Sequence, residues 1–323
     1  MGMGRTRHAG VMATGRFAPS PTGPLHLGNL RTALLAWLFA RSSGSGFILR
    51  MEDLDRVQAS RAHEASQRHD LAAIGLDWDG EVVRQSERFD RYEAAIDTLA
   101  RGGRTYDCYC TRREIREAAT APHGEQADGA YPGTCRRLDA QDRARHETDG
   151  RPLALRLRAD VGEVTVDDDV LGSVTAVVDD VVLRRNDGVP AYNLAVVVDD
   201  AAQGVQQVVR GQDLASSAPR QHHLATLLGL SPVRYAHVPL VLGPGGRRLA
   251  KRGGAVTLVQ QEALGATPAM VRSLLAASLG LASVGESVDP AVLLTRFDPA
   301  DLPASPWRLP ASVVDFRTPT SDP

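Results

Sequence analysis

The chain has 323 residues, 43% hydrophobic and 24% charged, ordinary values for a globular protein large enough for one big α/β unit or two to three domains. A formal net charge of −2 excludes a globally basic field, so any nucleic-acid contact has to be a local patch. Three cysteines exclude a disulfide framework and point to a reducing, cytoplasmic compartment, and the lack of about 18 consecutive uncharged apolar residues predicts no membrane span and no membrane partner.

Residues 1–13 carry no apolar signal-peptide core and read as a disordered lead, with Met12 an alternative start. Over 14–106 strands and helices alternate. Gly15-Arg16-Phe17-Ala18 closes a short strand, and Pro19, Pro21 and Thr22-Gly23-Pro24 make a rigid turn. From Asn29 the spacing predicts a helix with Leu30, Ala33, Leu34, Trp37 and Leu38 on one face. Phe47-Ile48-Leu49 reads as a strand, followed by acidic Glu52, Asp53 and Asp55, and helical patterns recur near 61–74 and 90–101. Strands separated by helices predict a parallel sheet.

The segment 107–190 differs. Leu153, Leu155 and Leu157 alternate with Ala154, Arg156 and Arg158, and valine-rich stretches turn at Gly172 and at Asn186-Asp187-Gly188, the pattern of an antiparallel insertion. Over 191–246 the first pattern resumes. The apolar run Ala191–Val198 predicts a central parallel strand, followed by a helix over 216–229 and a strand over 237–242. Over 247–323 a glycine-rich turn leads to a helix that starts at Thr267-Pro268 and stops at Gly280, then to a proline-rich, irregular tail.

Chemistry concentrates in four places. In Arg16–Asn29 a proline turn leads to a helix start bearing His26 and Gly28, and helix N-termini favour phosphate. Among 36 arginines stands a single lysine, Lys251 in Arg247–Gly254. A compact ammonium can do what a planar guanidinium cannot, although biased composition also accounts for the count. Arg16, Glu52, Tyr192 and Arg210 form a third group, and taken one at a time each fits a surface ion pair or hydrogen bond. Finally, Cys108, Cys110 and Cys135 fall within 28 residues with Tyr131 among them. Thiolates suit tetrahedral zinc, with His123 or a water as a fourth ligand on spacing alone, and three free thiols are the alternative.

Arg16–Asn29 resembles the first signature of class I aminoacyl-tRNA synthetases in the branch that activates glutamate, with Asn29 in the last place of its H-x-G-H pattern. Arg248-Leu249-Ala250-Lys251-Arg252 resembles the second signature, K-M-S-K-S, departing at Arg248 and Ala250 and retaining the second lysine. The resemblance implies an α/β fold: a Rossmann-like class I catalytic domain over 14–106 and 191–246, a zinc-containing α+β insertion over 107–190, and a small helical stem-contact region over 247–323. It implies ATP as substrate, with Mg2+, held by His26, Gly28, Asn29 and Lys251. His26 and Lys251 are then catalytic, the lysine stabilising charge on the α-phosphate. It implies a glutamate pocket of Arg16, Ala18, Ser20, Glu52, Tyr192 and Arg210, and one structural zinc on Cys108, Cys110, Tyr131 and Cys135.

Only 71 residues follow Arg252, short of the roughly 100 of an independent anticodon-reading module. The resemblance is therefore to shorter relatives of the glutamyl-tRNA synthetases that lack such a module. It implies tRNA-independent glutamyl-adenylate formation, then transfer to the queuosine base of tRNA(Asp), by a monomer. Arg136, Arg137, Arg143 and Arg145 read either as phosphate contacts or as a solvated helix paired with Asp142 and Glu147. A truncated glutamyl-tRNA synthetase charging the 3′ end and a non-enzymatic tRNA-binding paralogue remain as alternatives.

Overall fold

The computed structural model describes residues 14–111, 113–115, 131–247, 249 and 256–314. Its centre is a seven-stranded sheet ordered β3-β2-β1-β9-β10-β6-β7. The first half supplies β1 (Thr14–Phe17), β2 (Phe47–Met51) and β3 (Val83–Arg84), joined through helices α1 (Leu27–Ser42) and α2 (Arg61–Ala73). Pairing from β3 through β10 is parallel. Apolar residues run unbroken along α1 from Ala33 to Ala40, and this stretch is buried to match. It lies so close to the sheet that a Cβ on Gly15 of β1 would meet the Ala40 Cβ at 2.9 Å.

Helix α3 (Phe89–Arg101) leads to β4 (Thr105–Cys108) and, further on, to α4 (Ala140–Thr148) and β5 (Ala154–Leu157). Two strands, β6 (Glu163–Asp168) and β7 (Gly172–Val177), form a hairpin, and β8 (Val182–Arg184) follows. β4, β5 and β8 make a separate antiparallel sheet. The β6–β7 hairpin instead attaches to the large sheet, through the parallel pair Tyr235–Asp168. Antiparallel pairing is thus present as expected, but its strands divide between two sheets.

The run expected as a central strand at Ala191–Val198 is a helix, α5 (Tyr192–Ala202). A short apolar run cannot distinguish a buried strand from a buried helix, and packing decides here. Leu194 to Val198 pack in one core with Tyr92, Ile96 and Leu99 of α3 and with Leu224 and Ala225 of α6 (Ala218–Leu227). The central strand is β9 (Val205–Gly211), paired with β1 and with β10 (Arg234–Val238). The strand expected over 237–242 is two pieces, β10 and β11 (Val241–Leu242), with Pro239 between them.

In the C-terminal region Thr257 and Gln260 form a reciprocal cap on α7 (Leu258–Glu262). Thr267 caps α8 (Pro268–Ala277), and α9 (Pro290–Arg296) follows. The tail is more regular than its prolines suggest: β12 (Trp307–Arg308) pairs with β11, and Leu309 is buried in the main core. A short helix, α10 (Ala311–Val314), ends the described chain. Buried Arg31 ties α1 to this region by donating to the Pro239 carbonyl (2.9 Å) and to Ser278 Oγ (2.9 Å).

Candidate active site

A cleft of about 490 Å³ opens where β1, β9, β11 and the start of α1 meet. That volume suits a small-molecule substrate. Its walls hold Arg16, Ala18 and Ser20 from the end of β1 and its proline turn, and His26, Gly28 and Asn29 from the start of α1. Glu52, Tyr192 and Arg210 complete them. All nine described residues expected for ATP and glutamate therefore face one space.

The proline turn is held from behind. Gln67 of α2 donates to the Ser20 and Gly23 carbonyls at 3.0 and 2.7 Å, and the Glu52 N–H donates to the Pro19 carbonyl at 2.9 Å. His26 caps α1: its Nδ1 accepts from the Asn29 N–H (3.1 Å), and Asn29 Oδ1 accepts from the His26 N–H (3.3 Å). Asn29 thus completes a reciprocal cap. With Nδ1 accepting, the proton of a neutral His26 sits on Nε2, where it can be donated to an anion. Gly28 has a reason the sequence did not suggest. A Cβ there would meet the His26 ring at 2.9 Å.

Lys251, with Arg248, Ala250 and Arg252, lies outside the described residues. The chain on both sides borders the first signature. Leu249 lines the cleft, Leu27 N–H donates to the Val256 carbonyl at 2.8 Å, and Thr257 bridges to His26.

Behind the cleft lies a buried charge network that sequence reasoning missed. Arg16 reaches Asp200 (3.4 Å), and Arg50 reaches Asp200 (2.8 Å) and Glu52 (3.6 Å). Asp199 accepts from Arg88 (2.6 Å) and Tyr92 (2.7 Å). Burial drives the Glu52 carboxyl above its ordinary range despite Arg50 and Arg16. Burial also opposes ionisation of Asp200, but Arg50 and Arg16 outweigh it and hold that carboxyl low. The available signal was two acids ending an apolar run, which must find cations if the run is buried. Arg210 donates to His237 Nε2 (2.9 Å), Gln221 Oε1 (2.8 Å) and the Leu214 carbonyl (3.2 Å). Asp55 pairs locally, accepting from the Val57 and Gln58 amides, whereas Asp53 accepts from Ser86, 33 positions away.

A second cluster lies beside β4. The sulfurs of Cys108, Cys110 and Cys135 lie within 4.8 Å of one another. Cys110 and Cys135 are 3.4 Å apart, and the Tyr131 hydroxyl is 3.4 Å from Cys108 and 3.6 Å from Cys110. Tetrahedral zinc with Zn–S bonds of ~2.3 Å separates its sulfurs by ~3.8 Å. The four residues fit such an ion with modest adjustment, three soft sulfurs and one oxygen. His123, the other fourth-ligand option, lies outside the described residues. Arg156 donates to Cys108 Sγ at 3.1 Å and stacks over the Tyr131 ring at 3.6 Å. Of the arginines expected near tRNA, Arg136 is committed to Asp180 and Asp160 and Arg145 to Asp142, while Arg137 is exposed.

A family model for the catalytic domain of class I tRNA synthetases (E and Q) matches residues 12–286. The glutamyl-Q tRNA(Asp) synthetase of Nocardia farcinica is 62% identical over 299 residues, 93% of this chain and 94% of the relative. The chain belongs to the glutamyl-Q tRNA(Asp) synthetase family. Its counterpart in Cutibacterium acnes is 54% identical over 285 residues, 87% of this chain and 80% of the relative. A crystal structure of a glutamate tRNA ligase from Elizabethkingia meningosepticum, in complex with its amino acid, superposes with a TM-score of 0.79 at 26% identity. It covers 95% of this chain and 68% of that one. As a class I synthetase, the chain is a ligase, and its family uses ATP. Among the described residues no helix is long and apolar enough to cross a membrane.

Proposed function

We propose that the chain activates L-glutamate with ATP, without tRNA, and transfers the glutamyl group to the queuosine base in the anticodon loop of tRNA(Asp). The observation that carries the first step is the convergence of Arg16, Arg210 and Glu52 in one cleft with His26. Two guanidinium groups and one carboxylate complement the two carboxylates and one ammonium of glutamate. The names of relatives at 62% and 54% identity support the acceptor.

Arg210 and Tyr192 take one carboxylate, Arg16 orients the other, and Glu52 takes the ammonium, with Ala18 and Ser20 shaping the floor. His26, Gly28 and Asn29 receive ATP with its Mg2+. A glutamate carboxylate oxygen attacks the α-phosphorus, the bond to the bridging oxygen breaks, and pyrophosphate leaves with the electron pair. Lys251 offsets the charge that develops on the α-phosphate. One zinc on Cys108, Cys110, Tyr131 and Cys135 orders the insertion and takes no part in the chemistry. The setting is the cytoplasm, supported by three unpaired cysteines, and the working unit is a monomer.

Glutamate-dependent ATP–pyrophosphate exchange, run with and without tRNA, tests the first step; the expected rate is the same in both. Transfer of labelled glutamate to queuosine-containing but not queuosine-free tRNA(Asp) tests the second. Equal labelling of queuosine-free tRNA at its 3′ end overturns it in favour of ordinary charging.

A further inference from the structure

Arg210 is more than a cation exposed to the cleft. It lies on β9, and the parallel register sets His237 of β10 directly beside it. Nε of a guanidinium can only donate, so His237 Nε2, 2.9 Å away, has to accept. The proton of the neutral imidazole therefore sits on Nδ1, which donates to Asp168 Oδ2 at 2.5 Å. Asp168 ends β6, where its carboxylate also accepts from the N–H groups of Val170, Leu171 and His237. The relay is dry: His237 is 0% exposed, and Asp168 and Arg210 are each 5% exposed. Gln221 completes the clamp by accepting from Arg210 (2.8 Å) and donating to Asn193 Oδ1 (3.0 Å).

We propose that Asp168 and His237 form a positioning relay that fixes Arg210 for carboxylate recognition, and so help to select the amino acid. The proposal rests on the reading of Arg210 as a glutamate contact. A free arginine has many rotamers and can adapt to carboxylates at different depths. An arginine whose Nε is pinned presents its remaining N–H groups in one direction, which favours one side-chain length over a shorter one. The chain of bonds runs from anionic Asp168 through neutral His237 to cationic Arg210. Each buried polar atom in the relay has a partner, as such a network requires. Burial favours a neutral His237 and lowers its proton affinity, in keeping with Nε2 acting as an acceptor.

The test compares Asp168→Asn, His237→Phe and His237→Gln with Arg210→Ala in exchange assays, reading the KM for glutamate and for ATP separately. An asparagine amide can donate to Nδ1 and move the imidazole proton to Nε2, against Arg210, the wrong-tautomer effect of an Asp-to-Asn change behind a histidine. Asp168→Asn and His237→Phe should raise the glutamate KM at least about tenfold, the scale of a lost buried hydrogen bond to a charged group, while the ATP KM stays put. His237→Gln, which restores an acceptor, should recover part of that loss. Variants that keep the parental glutamate KM, or lose glutamate and ATP affinity in parallel, overturn the relay. If Arg210→Ala raises the glutamate KM and the relay variants do not, only the relay fails. If Arg210→Ala keeps the parental KM, the glutamate reading fails with it. Nitrogen-15 histidine spectra of the unaltered protein decide the matter should the variants not fold. The Nδ1–H tautomer is expected for His237, and an Nε2–H or doubly protonated ring overturns the proposal.

Discussion

Glu52 sits against Arg50 with a tenth of its side chain exposed, and burial raises its carboxyl above the ordinary range. A carboxyl raised in this way takes up its proton earlier as the pH falls, so the anion facing the substrate ammonium is lost sooner. The glutamate KM is therefore expected to rise as the pH falls through that elevated value, with the ATP KM flat. Glu52→Gln should start with a high glutamate KM that no longer changes over the same interval; pH-dependent exchange kinetics check both. Arg210→Ala removes a charge-assisted partner from a buried pocket, and about 2–4 kcal/mol of glutamate binding should go with it, read directly by titration calorimetry. Lys251 carries a sharper expectation. Lys251→Ala should slow adenylate formation by ~10²-fold or more, the loss expected for one transition-state charge partner. Lys251→Arg should also be impaired, because a broad planar cation cannot replace a compact one at a phosphoryl group. Single-turnover rates of adenylate formation decide it, and a parental rate for the arginine variant makes the lone lysine a coincidence of composition.

At the scale of elements, the contact of β1 with α1 sets the geometry of the cleft, because one strand-turn-helix unit carries Arg16, Ser20 and His26. Gly15 permits that contact, with Ala40 at 2.9 Å from where its Cβ would stand. Gly15→Val is expected to push α1 off the sheet at a cost of about 1–3 kcal/mol, the range for overpacking a tight core. Thermal melts would register this as a lower Tm, and raised KM values for ATP would show that the helix start moved. Helix α5 makes the opposite point about legibility. Its valines favour strand by propensity, yet burial against α3 and α6 outweighs that preference. The helix also brings Asp199 and Asp200 into register with Arg88 and with Arg16 and Arg50.

For the whole molecule, the cysteine cluster is one tie within 107–190, beside the β4–β5–β8 sheet and the Arg136–Asp180 ion pair. It joins the end of β4 to the turn at 134–137, which opposing strands alone do not link. Purified protein is expected to hold about one zinc per chain by metal analysis. Cys135→Ser and chelation should both lower the metal content, and the melting temperature with it. Exchange activity should persist at moderate temperature if the ion only orders the insertion. Full thiol titration of metal-free native protein is the contrary result. The tail closes the molecule at the other end: Leu309 donates its N–H to the Leu242 carbonyl at 2.8 Å, so residues past 300 brace the strand that borders the cleft.

The sequence by itself determined what depends on near neighbours. The proline turn, the helix start near His26 and Asn29, the strand of β2 leading to Glu52 and the Thr267-Pro268 cap are all set by residues a few places apart, and all were legible, although the reciprocal cap between His26 and Asn29 was read only from the structure. So was the grouping of Cys108, Cys110 and Cys135, whereas Tyr131 entered only through the family resemblance and spacing alone left His123 or a water in its place. Tertiary structure alone decided which charges meet. Arg16 and Asp200 are 184 positions apart, Tyr92 and Asp199 are 107 apart, and Asp168 and His237 are 69 apart. No local rule joins such pairs, because charged groups are strongly coupled only when the fold removes water from between them. The same cause hid the hairpin β6–β7. Its alternation predicted a ribbon, but only the edge left open by β10 determined which sheet it would complete.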